Sequence, residues 1–554
     1  MPIAALAVLC WLVLFHNLGG PALIEPDEGR NAEVAREILV LGDWVTPHYD
    51  FIPYLDKPMP FFWLAAGAYK FFGISEFSAR LPAALAALGC LLLVYDLGRR
   101  LAGPWAALWS VLVLATSPMF MAFSRAVIFD MPLAFFITLA LWAFVRGRTA
   151  EASSAWKFYM LMYAAAGAAV MVKGPVGAAV PGLIIGLYWL VYRRAPLRAM
   201  KPLYGAVLLL LIAAPWYLWA DARNPGYLRY FFIEENFLRY VTPHFNRAKP
   251  WYFYFEVLAV GFLPWTALLH LPFMRASAVK GSEKVFFVLW AAVPFVFFSF
   301  SAAKQPGYIL PMFPALALLM GAAIASALEA TSRRARRPLA VPWILLLLPA
   351  GYCALAMFFP SLLPAGATDA LSQFVPQPAW LLISLLFLLL LFAAGASLRA
   401  SPPAYFVASC IALSAVNLFA SGVFGRISDN RSSRKLVEKA LPLIRPDDQL
   451  VVYSNYMSSL PFYLGAEKPF WVVANEGGTD IMGSFYMAEK HPRPALGSGD
   501  VIMSFDKFAE VWHHSPARLI VFVEEKKLSR LAADVGATPK RLLTFGDVAV
   551  VTNQ

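Results

Sequence analysis

Two clusters of charged residues stand out in a chain in which only 14% of the residues are charged. They share one interval between apolar stretches and read Pro26-Asp27-Glu28-Gly29-Arg30 and Asp56-Lys57-Pro58. Carboxylates can orient or deprotonate an acceptor group, and a lysine or an arginine can bind a phosphate. The two clusters therefore suit a substrate that carries a phosphate, together with an acceptor proton or an amine.

Each cluster also has a structural interpretation. Asp27 and Glu28 would cap the start of a helix and interact favourably with its dipole. Asp56 and Lys57 would form a solvated salt bridge where another helix begins. Two clusters of mixed charge in one loop of such an apolar chain favour a functional site over two unrelated caps.

Several further polar residues lie at the ends of apolar stretches. A charge near the centre of a bilayer costs about 2.5–3.5 kcal/mol on insertion scales, so such residues are candidates for function. The alternative is that they reach out to the membrane surface. The candidates are Arg125, Asp130, Lys173, Lys304 and Tyr308. We expect them to line one cavity together with the two charged clusters.

The elements that position these residues are membrane spans. The chain has 554 residues, of which 60% are hydrophobic, and a mean hydropathy of +0.62, whereas soluble domains carry about 25% charged residues. Apolar stretches of roughly 20 residues recur, as a bilayer core requires, and predict about thirteen spans. The predicted spans are 3–19, 79–98, 103–120, 127–145, 157–172, 175–192, 203–220, 252–271, 284–301, 308–328, 340–360, 378–397 and 403–422.

Positive charge gathers in alternate short gaps between the spans, which the positive-inside rule assigns to the cytoplasm. These residues are Arg99, Arg100, Arg146, Arg148, Arg193, Arg194, Arg198, Lys201, Arg275, Lys280, Lys284, Arg333, Arg334, Arg336, Arg337 and Arg399. The intervals 20–78, 221–251 and 361–377 and the tail after 422 then face outward. The net charge of +12 is thereby explained by topology, and we expect no binding of nucleic acid.

The outward interval 20–78 is patterned like two helices. Segments 26–41 and 58–73 have apolar faces flanked by charges and prolines, which predicts interfacial helices that lie in the membrane plane. Asp27, Arg30 and Glu33 are three residues apart, so a helix would place them on one face.

The tail differs in kind from the rest of the chain. Short apolar runs at 450–453, 470–473, 519–523 and 548–552 alternate with helix-like segments such as 433–441, which predicts a small α/β domain at 425–554. The preceding residues 1–424 form the predicted transmembrane domain. No catalytic pattern is found in the tail.

The motifs resemble those of the GT-C superfamily of membrane glycosyltransferases, which use sugars linked to polyprenyl phosphate. The chain looks most like the 4-amino-4-deoxy-L-arabinose transferases that modify lipid A. The matching segments are Pro26-Asp27-Glu28-Gly29-Arg30, Asp56-Lys57-Pro58, Val172-Lys173-Gly174-Pro175 and Gly307-Tyr308-Ile309-Leu310-Pro311. The span count and the outward tail agree with this resemblance. It therefore implies a GT-C type fold with a periplasmic C-terminal α/β domain.

The resemblance also implies roles for individual residues. Asp27 matches the acidic residue of the first family motif, and Arg30 and Asp56 complete the expected catalytic group. Relatives often carry glutamate at the position of Asp56. Lys57 and Tyr308 match residues beside the lipid phosphate. Further expected substrate or phosphate ligands are Glu28, Asp130, Lys173 and Arg247, with Arg239 as an alternative to the last.

The implied reaction transfers the aminopentose from undecaprenyl phosphate to a lipid A phosphate on the periplasmic side of the bacterial inner membrane, which confers resistance to polymyxin. We expect a monomer that requires no cofactor. No metal-ligand spacing occurs in the sequence, and whether a divalent cation binds near Asp56 is left open.

Two other functions remain compatible with the sequence. A GT-C transferase could deliver another polyprenyl-linked sugar to a protein or a glycan. A lipid or sugar transporter with a periplasmic binding domain is the alternative of a different class. Transporters are typically built from inverted repeats with charges near the bilayer midplane, and the sequence shows neither feature.

Overall fold

The computed structural model describes residues 1–192, 197–242, 248–274, 279, 281–330, 336–348, 380–399, 401–474, 482–490 and 501–554. The chain forms two compact units. The helical unit comprises residues 1–18, 80–215 and 236–427, and the mixed unit comprises residues 19–79, 216–235 and 428–554. The first loop and the tail therefore belong to one unit, a grouping that the sequence did not predict.

Long apolar helices dominate the first 430 residues. The α-helices are Pro2–Leu14, Glu76–Ala102, Pro104–Ala115, Pro118–Ser124, Asp130–Thr149, Ala152–Lys173, Val176–Tyr192, Leu197–Met200, Pro202–Arg223, Arg239–Val241, Phe253–Gly261, Leu271–Met274, Gly281–Ser299, Phe313–Glu329, Trp380–Arg399 and Pro402–Asn430. Among the described residues, seven helices are long and apolar enough to cross a membrane, or up to nine if each of two bent pairs is one span. The prediction of a helical, multi-pass membrane protein is confirmed.

Two predicted spans are not straight helices. The prediction 103–120 falls on Pro104–Ala115 and Pro118–Ser124, which meet at 68°, and the prediction 252–271 falls on a pair that meets at 103°. Proline interrupts both, because its ring blocks the preceding turn and it lacks a backbone N–H; Pro118 and Pro264 stand at the breaks. The predicted spans 340–360 and 378–397 lie partly outside the described residues.

A six-stranded sheet forms the centre of the tail. Its strands are β3 (Gln449–Tyr453), β4 (Trp471–Val473), β5 (Ile502–Met503), β6 (Leu519–Glu524), β7 (Lys540–Phe545) and β8 (Val548–Thr552). The order is β5-β4-β3-β6-β8-β7; β3 to β6 are parallel, and β8 is antiparallel to both β6 and β7. The four predicted strands are confirmed, whereas β5 and β7 were missed because their apolar runs are short or mixed with charge.

The sheet is buried on both faces, as its parallel strands require. Val451 and Tyr453 pack in one apolar cluster with Phe508 and Trp512. Val452, between them, belongs to the opposite cluster, because successive strand residues point to opposite faces. The helices that pack on the sheet are Arg434–Ala440 and Leu460–Leu464 in one cluster and Phe505–His514 and Leu528–Asp534 in the other. The helix Phe485–Lys490 follows β4 in the chain. The helix Arg434–Ala440 confirms the helix predicted at 433–441.

The loop of residues 20–78 contains two helices, as predicted, and a small hairpin. The helices are Asp27–Leu41, here named the motif helix, and Met59–Phe72; the hairpin pairs β1 (His48–Tyr49) with β2 (Ile52–Pro53). The motif helix differs from the predicted amphipathic helix, since its residues from Glu28 to Ile38 are all buried. Glu33 also does not pair with Arg30: its two oxygens accept hydrogen bonds of 2.7 Å from Arg36.

The packing of the central strand β6 leads to a prediction. Phe522 is fully buried in the sheet, so Phe522→Ala removes a ring that nothing replaces and should lower the free energy of unfolding by about 3–5 kcal/mol. Lys540→Ala, at an exposed position on the edge strand β7, is the control. Thermal unfolding of the purified protein in detergent measures both, and an unchanged midpoint for Phe522→Ala would contradict the assigned core.

Candidate active site

The first charged motif forms an ion pair at the start of the motif helix. Arg30 donates to the carboxylate of Asp27 one turn before it, and Asp27 is the first helical residue, where the helix dipole favours a negative charge. The Arg30 side chain is 8% exposed, whereas that of Asp27 is 52% exposed. The Asp27 carboxylate is therefore exposed, while the arginine that binds it is buried.

Arg30 has further partners that hold its guanidinium in place. Its Nη1 donates to the carbonyl of Gly483 over 3.3 Å, and its guanidinium carbon lies 5.9 Å from the centre of the Tyr54 ring. The charges of Asp27 and Asp56 both act on Arg30. Arg30 thus lies near both predicted charged clusters, which are close together in the structure. The catalytic roles of Asp27 and Asp56 stay predictions.

Asp56 is bound from several sides within the mixed unit. Its Oδ1 accepts hydrogen bonds from the hydroxyl of Tyr230 and, over 3.1 Å, from the backbone N–H of Tyr486. Burial and the nearby charge of Glu235 raise the pKa of Asp56, while Lys57, Ser484 and Tyr230 oppose the rise. A carboxyl group held in this way supports the site more readily than it approaches a substrate.

Lys57 forms an ion pair with Glu235 and donates to the backbone oxygen of Asp56 over 2.9 Å. The Glu235 side chain is 3% exposed and that of Lys57 is 21% exposed. The ammonium group is therefore held by a buried carboxylate, while the Lys57 side chain as a whole remains partly exposed.

Tyr230 and Glu235 belong to the site but were missed in the sequence. They lie on a π-helix, Tyr230–Leu238, whose hydrogen bonds join residues five apart, and such helices are frequent at functional sites. In an α-helix the two side chains would point about 140° apart. In the π-helix, Tyr230 reaches Asp56 and Glu235 reaches Lys57, which are neighbours in the chain. A search for the α-helical period of 3.6 residues does not predict these two contacts.

Glu28 has a structural contact in the turn before the motif helix, which differs from the helix cap considered as the alternative in the sequence. Its carboxylate accepts the backbone N–H of Ile24 over 3.1 Å, and the residue is buried. This bond stabilises the turn that leads into the motif helix. A part for Glu28 in substrate binding stays a prediction.

In the helical unit, three predicted residues meet. Lys173 Nζ lies 2.6 Å from Asp130 Oδ1 and 4.7 Å from the centre of the Tyr308 ring. Asp130 begins one long helix and Lys173 ends another, so each charge lies at the helix end that its sign favours. A lysine and a tyrosine can bind an anion, and in this group the carboxylate of Asp130 balances the charge of the lysine.

Two other candidates of this unit are satisfied by backbone oxygens. Arg125 donates to the carbonyls of Val13 and His16, over 2.9 and 2.7 Å, and so caps the end of the first helix. Lys304 donates to the carbonyls of Ser301 and Lys249, over 2.6 and 3.3 Å.

The remaining predicted ligands are less informative. Arg247 lies outside the described residues, and Arg239 is buried in a short helix. Among the described residues, no group of three or more histidine, cysteine, aspartate or glutamate side chains could hold a metal ion, so the question of a divalent cation stays open. The single cavity that was expected to unite all candidates also stays a prediction.

Comparison with known proteins gives a family model and several relatives. Residues 56–219 match the model described as dolichyl-phosphate-mannose-protein mannosyltransferase. The chain is 34% identical over 323 residues to the undecaprenyl phosphate-alpha-4-amino-4-deoxy-L-arabinose arabinosyl transferase of Edwardsiella ictaluri, covering 57% of this chain and 58% of that protein. The protein of the same name from Pseudomonas aeruginosa is also 34% identical, with 58% of each covered. The chain thus spans less than two thirds of the length of these curated relatives.

A solved structure matches over nearly the whole length. The crystal structure of ArnT from Cupriavidus metallidurans bound to undecaprenyl phosphate has a TM-score of 0.84 and 26% sequence identity, and the match covers 100% of this chain and 98% of that one. The same protein without ligand gives 0.83.

The chain has the GT-C fold of membrane glycosyltransferases. The resemblance predicted from four short motifs is confirmed, and it extends to a mostly helical body and a C-terminal sheet.

This GT-C fold carries a second set of buried acids next to the first motif. The carboxylate of Glu37, on the motif helix, accepts the backbone N–H groups of Asp50 and Phe51 over 2.7 and 2.9 Å. These two residues form the β1–β2 turn, with φ of 55° and 63°. Asp50 in turn accepts the N–H of Phe470 over 2.8 Å. The acids therefore join the motif helix, the hairpin and the C-terminal domain.

The environment raises the pKa of both carboxyl groups. Burial raises the pKa of Glu37, and the charges of Glu33 and Asp50 raise it further. Burial also raises the pKa of Asp50, with Glu33 adding to the rise and the Phe470 N–H opposing it. Arg36 is the neighbouring cation and is already bound to Glu33.

The raised pKa of Asp50 predicts a pH dependence of stability. An acid whose pKa is raised by folding stabilises the fold fully below its ordinary value near 4 and loses that contribution as the pH rises through the raised pKa. Asp50→Asn removes the titrating group and keeps an oxygen for Phe470. Its unfolding temperature should therefore fall less than that of the unmodified protein between pH 5 and pH 8.

The matched control for this measurement is Asp447→Asn, at an exposed position of the same domain. It should reproduce the pH profile of the unmodified protein. If the unfolding temperatures of Asp50→Asn and of the unmodified protein change with pH in parallel, the titration of Asp50 does not cause the pH dependence of stability.

Proposed function

We propose that this chain transfers 4-amino-4-deoxy-L-arabinose from undecaprenyl phosphate to a phosphate of lipid A. The observation that carries this proposal is the ion pair between the exposed carboxylate of Asp27 and the buried guanidinium of Arg30. These two residues match the acidic residue and the arginine of the first motif of the GT-C resemblance. The names of the relatives and the undecaprenyl phosphate in the matching crystal structure support the choice of donor.

The donor's leaving group determines what the protein must supply. A polyprenyl phosphate departs as a stable anion, so it needs cations and hydroxyl donors more than a general acid. The Lys57 side chain is partly exposed, and we assign Lys57 to the donor phosphate. Within the helical unit, Lys173 and Tyr308 form a separate pair of groups suited to an anion. Arg247, from the loop before the eighth predicted span, is a further proposed cation, with Arg239 as its alternative.

Asp27 is assigned to the acceptor or to the sugar. A lipid A phosphate is largely ionised at neutral pH, so it requires little proton removal. The carboxylate then serves to position the nucleophile or to pair with the ammonium group of the aminopentose. The hydrogen bond from Arg30 fixes the direction of the Asp27 carboxylate, and the charge of Asp56 also acts on Arg30.

The proposed topology has thirteen spans with the site and the C-terminal domain on the periplasmic side of the inner membrane. Seven helices of the described residues, or nine if each bent pair is one span, are long and apolar enough to cross a membrane, and three shorter apolar helices are compatible with further spans. The positive charges between the predicted spans support the orientation. Modification of lipid A at this place would lower its negative charge and give resistance to polymyxin.

A protein or glycan acceptor is the second candidate. The matching family model is described by a protein mannosyltransferase and covers Asp56 and Lys57, and residues that hold a polyprenyl phosphate would serve any acceptor. Mass spectrometry of lipid A from cells with and without the gene separates the two functions. A mass increase of one aminopentose supports the first, and unchanged lipid A with a glycosylated protein supports the second.

The proposed role of Asp27 predicts a large loss of activity without a loss of fold. Asp27→Asn should lower the transfer rate about 10²–10³-fold, because the carboxylate contributes through electrostatic positioning. Transfer to lipid A in reconstituted vesicles measures the rate, and elution as a single species in detergent reports on folding. Asp506→Asn, an exposed aspartate in the first turn of another helix, is the control, and near-normal transfer by Asp27→Asn would refute the assignment.

The ion pair of Lys57 with Glu235 leads to a prediction on donor binding. A buried carboxylate competes with phosphate for the same ammonium, so Glu235→Gln should tighten binding of undecaprenyl phosphate by about tenfold, the equivalent of one hydrogen bond to a charged group. Glu234→Gln, its partly buried neighbour, is the control. Weaker binding by Glu235→Gln would instead mean that Glu235 only orients Lys57.

A further inference from the structure

The residue before the first motif is bound by the C-terminal domain. Glu25 precedes Pro26 and Asp27, and its two carboxylate oxygens accept the backbone N–H groups of Ser458 and Ser459, over 2.7 and 2.8 Å. The hydroxyls of Ser459 and Ser433 also donate to it. The backbone N–H of Glu25 donates to the carbonyl of Arg431 over 2.9 Å. Glu25 thus accepts four hydrogen bonds and donates one, all with partners between residues 431 and 459.

The motif helix approaches the same residues so closely that only glycine fits. A Cβ on Gly29 would lie 2.6 Å from the backbone nitrogen of Ser459 and 2.7 Å from its Cα. Ser459 is fully buried, so its backbone has no room to retreat. Gly29 lies between Asp27 and Arg30 in the chain, and the first turn of the motif helix is therefore packed directly on this part of the C-terminal domain.

The topology of the sheet explains why these contacts come from the tail. Strands β3 and β4 are parallel neighbours, so their carboxyl ends meet at one edge, where α/β domains usually carry their binding loops. The loop after β3 supplies Ser458 and Ser459 to Glu25. The described residues that next follow β4 in the chain supply the Gly483 carbonyl to Arg30 and, from the first turn of the helix Phe485–Lys490, the Tyr486 N–H to Asp56. One edge of the sheet holds both charged motifs.

We propose that Glu25 is a positioning residue, through which the C-terminal domain holds the first turn of the motif helix so that Asp27 and Arg30 keep the arrangement needed for transfer. This inference rests on the proposed function. It gives the tail, which carries no catalytic pattern of its own, a definite part in the reaction.

The carboxylate is the only group that can make this contact at position 25. Both of its oxygens face backbone N–H donors, so Glu25→Gln would turn an amide N–H₂ towards one donor and lose that bond. Glu25→Asp keeps the charge but is one methylene too short to reach all its partners. A displacement of about 1 Å at a site can lower a rate by about 10²-fold.

The kinetic test compares Glu25→Gln with Glu467→Gln, an exposed glutamate of the same domain. Glu25→Gln should lower kcat at least tenfold and leave KM for the undecaprenyl-phosphate donor within about twofold, since Lys57 and the other phosphate ligands are untouched. Glu25→Asp should recover part of kcat. A normal kcat, or an equal change in kcat for both Gln variants, would overturn the proposal.

A second measurement does not depend on activity. Hydrogen exchange of peptides that cover residues 24–34 should increase in Glu25→Gln and in Gly29→Ala, while peptides of β6 exchange as in the unmodified protein. Gly29→Ala breaks the same contact by steric overlap rather than by loss of charge, so agreement between the two variants supports the contact. Unchanged exchange at 24–34 in both, or faster exchange throughout the domain, would overturn it.

The two measurements separate the inference from the proposed function. If the unmodified protein adds no aminopentose to lipid A, the proposed function fails, while the exchange experiment still decides whether Glu25 holds the motif helix. If transfer occurs and exchange at 24–34 does not respond, only the role of Glu25 fails.

Discussion

The buried guanidinium of Arg30 is the interaction around which the mixed unit is arranged. A cation removed from water must find an opposite charge and hydrogen-bond acceptors close by, or its burial costs several kcal/mol. Asp27 supplies the charge, Gly483 supplies a carbonyl, and the Tyr54 ring covers one side. These partners come from the motif helix, the first loop and the tail, so satisfying one cation requires all three to be in place.

The same requirement explains how an apolar chain keeps so many charges inside. Arg36 is bound by Glu33, Lys57 by Glu235, and Lys173 by Asp130, each pair joining a helix to a neighbour or to itself. Buried pairs contribute little to stability compared with apolar packing, but breaking one leaves an uncompensated charge. Such pairs therefore specify the arrangement of the elements more than they stabilise it. In the pair of Arg30 and Asp27, by contrast, the carboxylate is exposed, and this accessibility makes Asp27 suited to contact a substrate.

The fold and the activity are supported by different observations. The GT-C fold follows from a match that covers the whole chain, including the tail. The proposed sugar rests on the names of relatives that match over little more than half of their length, and those names give no acceptor. A site that binds a polyprenyl phosphate serves transfer to any acceptor, because the leaving group does not depend on the acceptor. The acceptor is therefore the part of the proposal that the site chemistry constrains least.

The sequence by itself determined the features that depend on local composition. Long stretches of apolar residues predict membrane helices, and short apolar runs between polar segments predict strands. Because charged residues are rare, Asp27, Arg30, Asp56 and Lys57 could be identified as candidates from the sequence alone. The tertiary structure decided which of them act together. Tyr230 and Glu235 reach Asp56 and Lys57 only because a π-helix changes the spacing of side chains. Glu25 meets Ser458 and Ser459 across more than 400 residues because β3 and β4 end at the same edge of a parallel sheet. Contacts of this kind depend on how distant segments pack, and no periodicity along the chain records them.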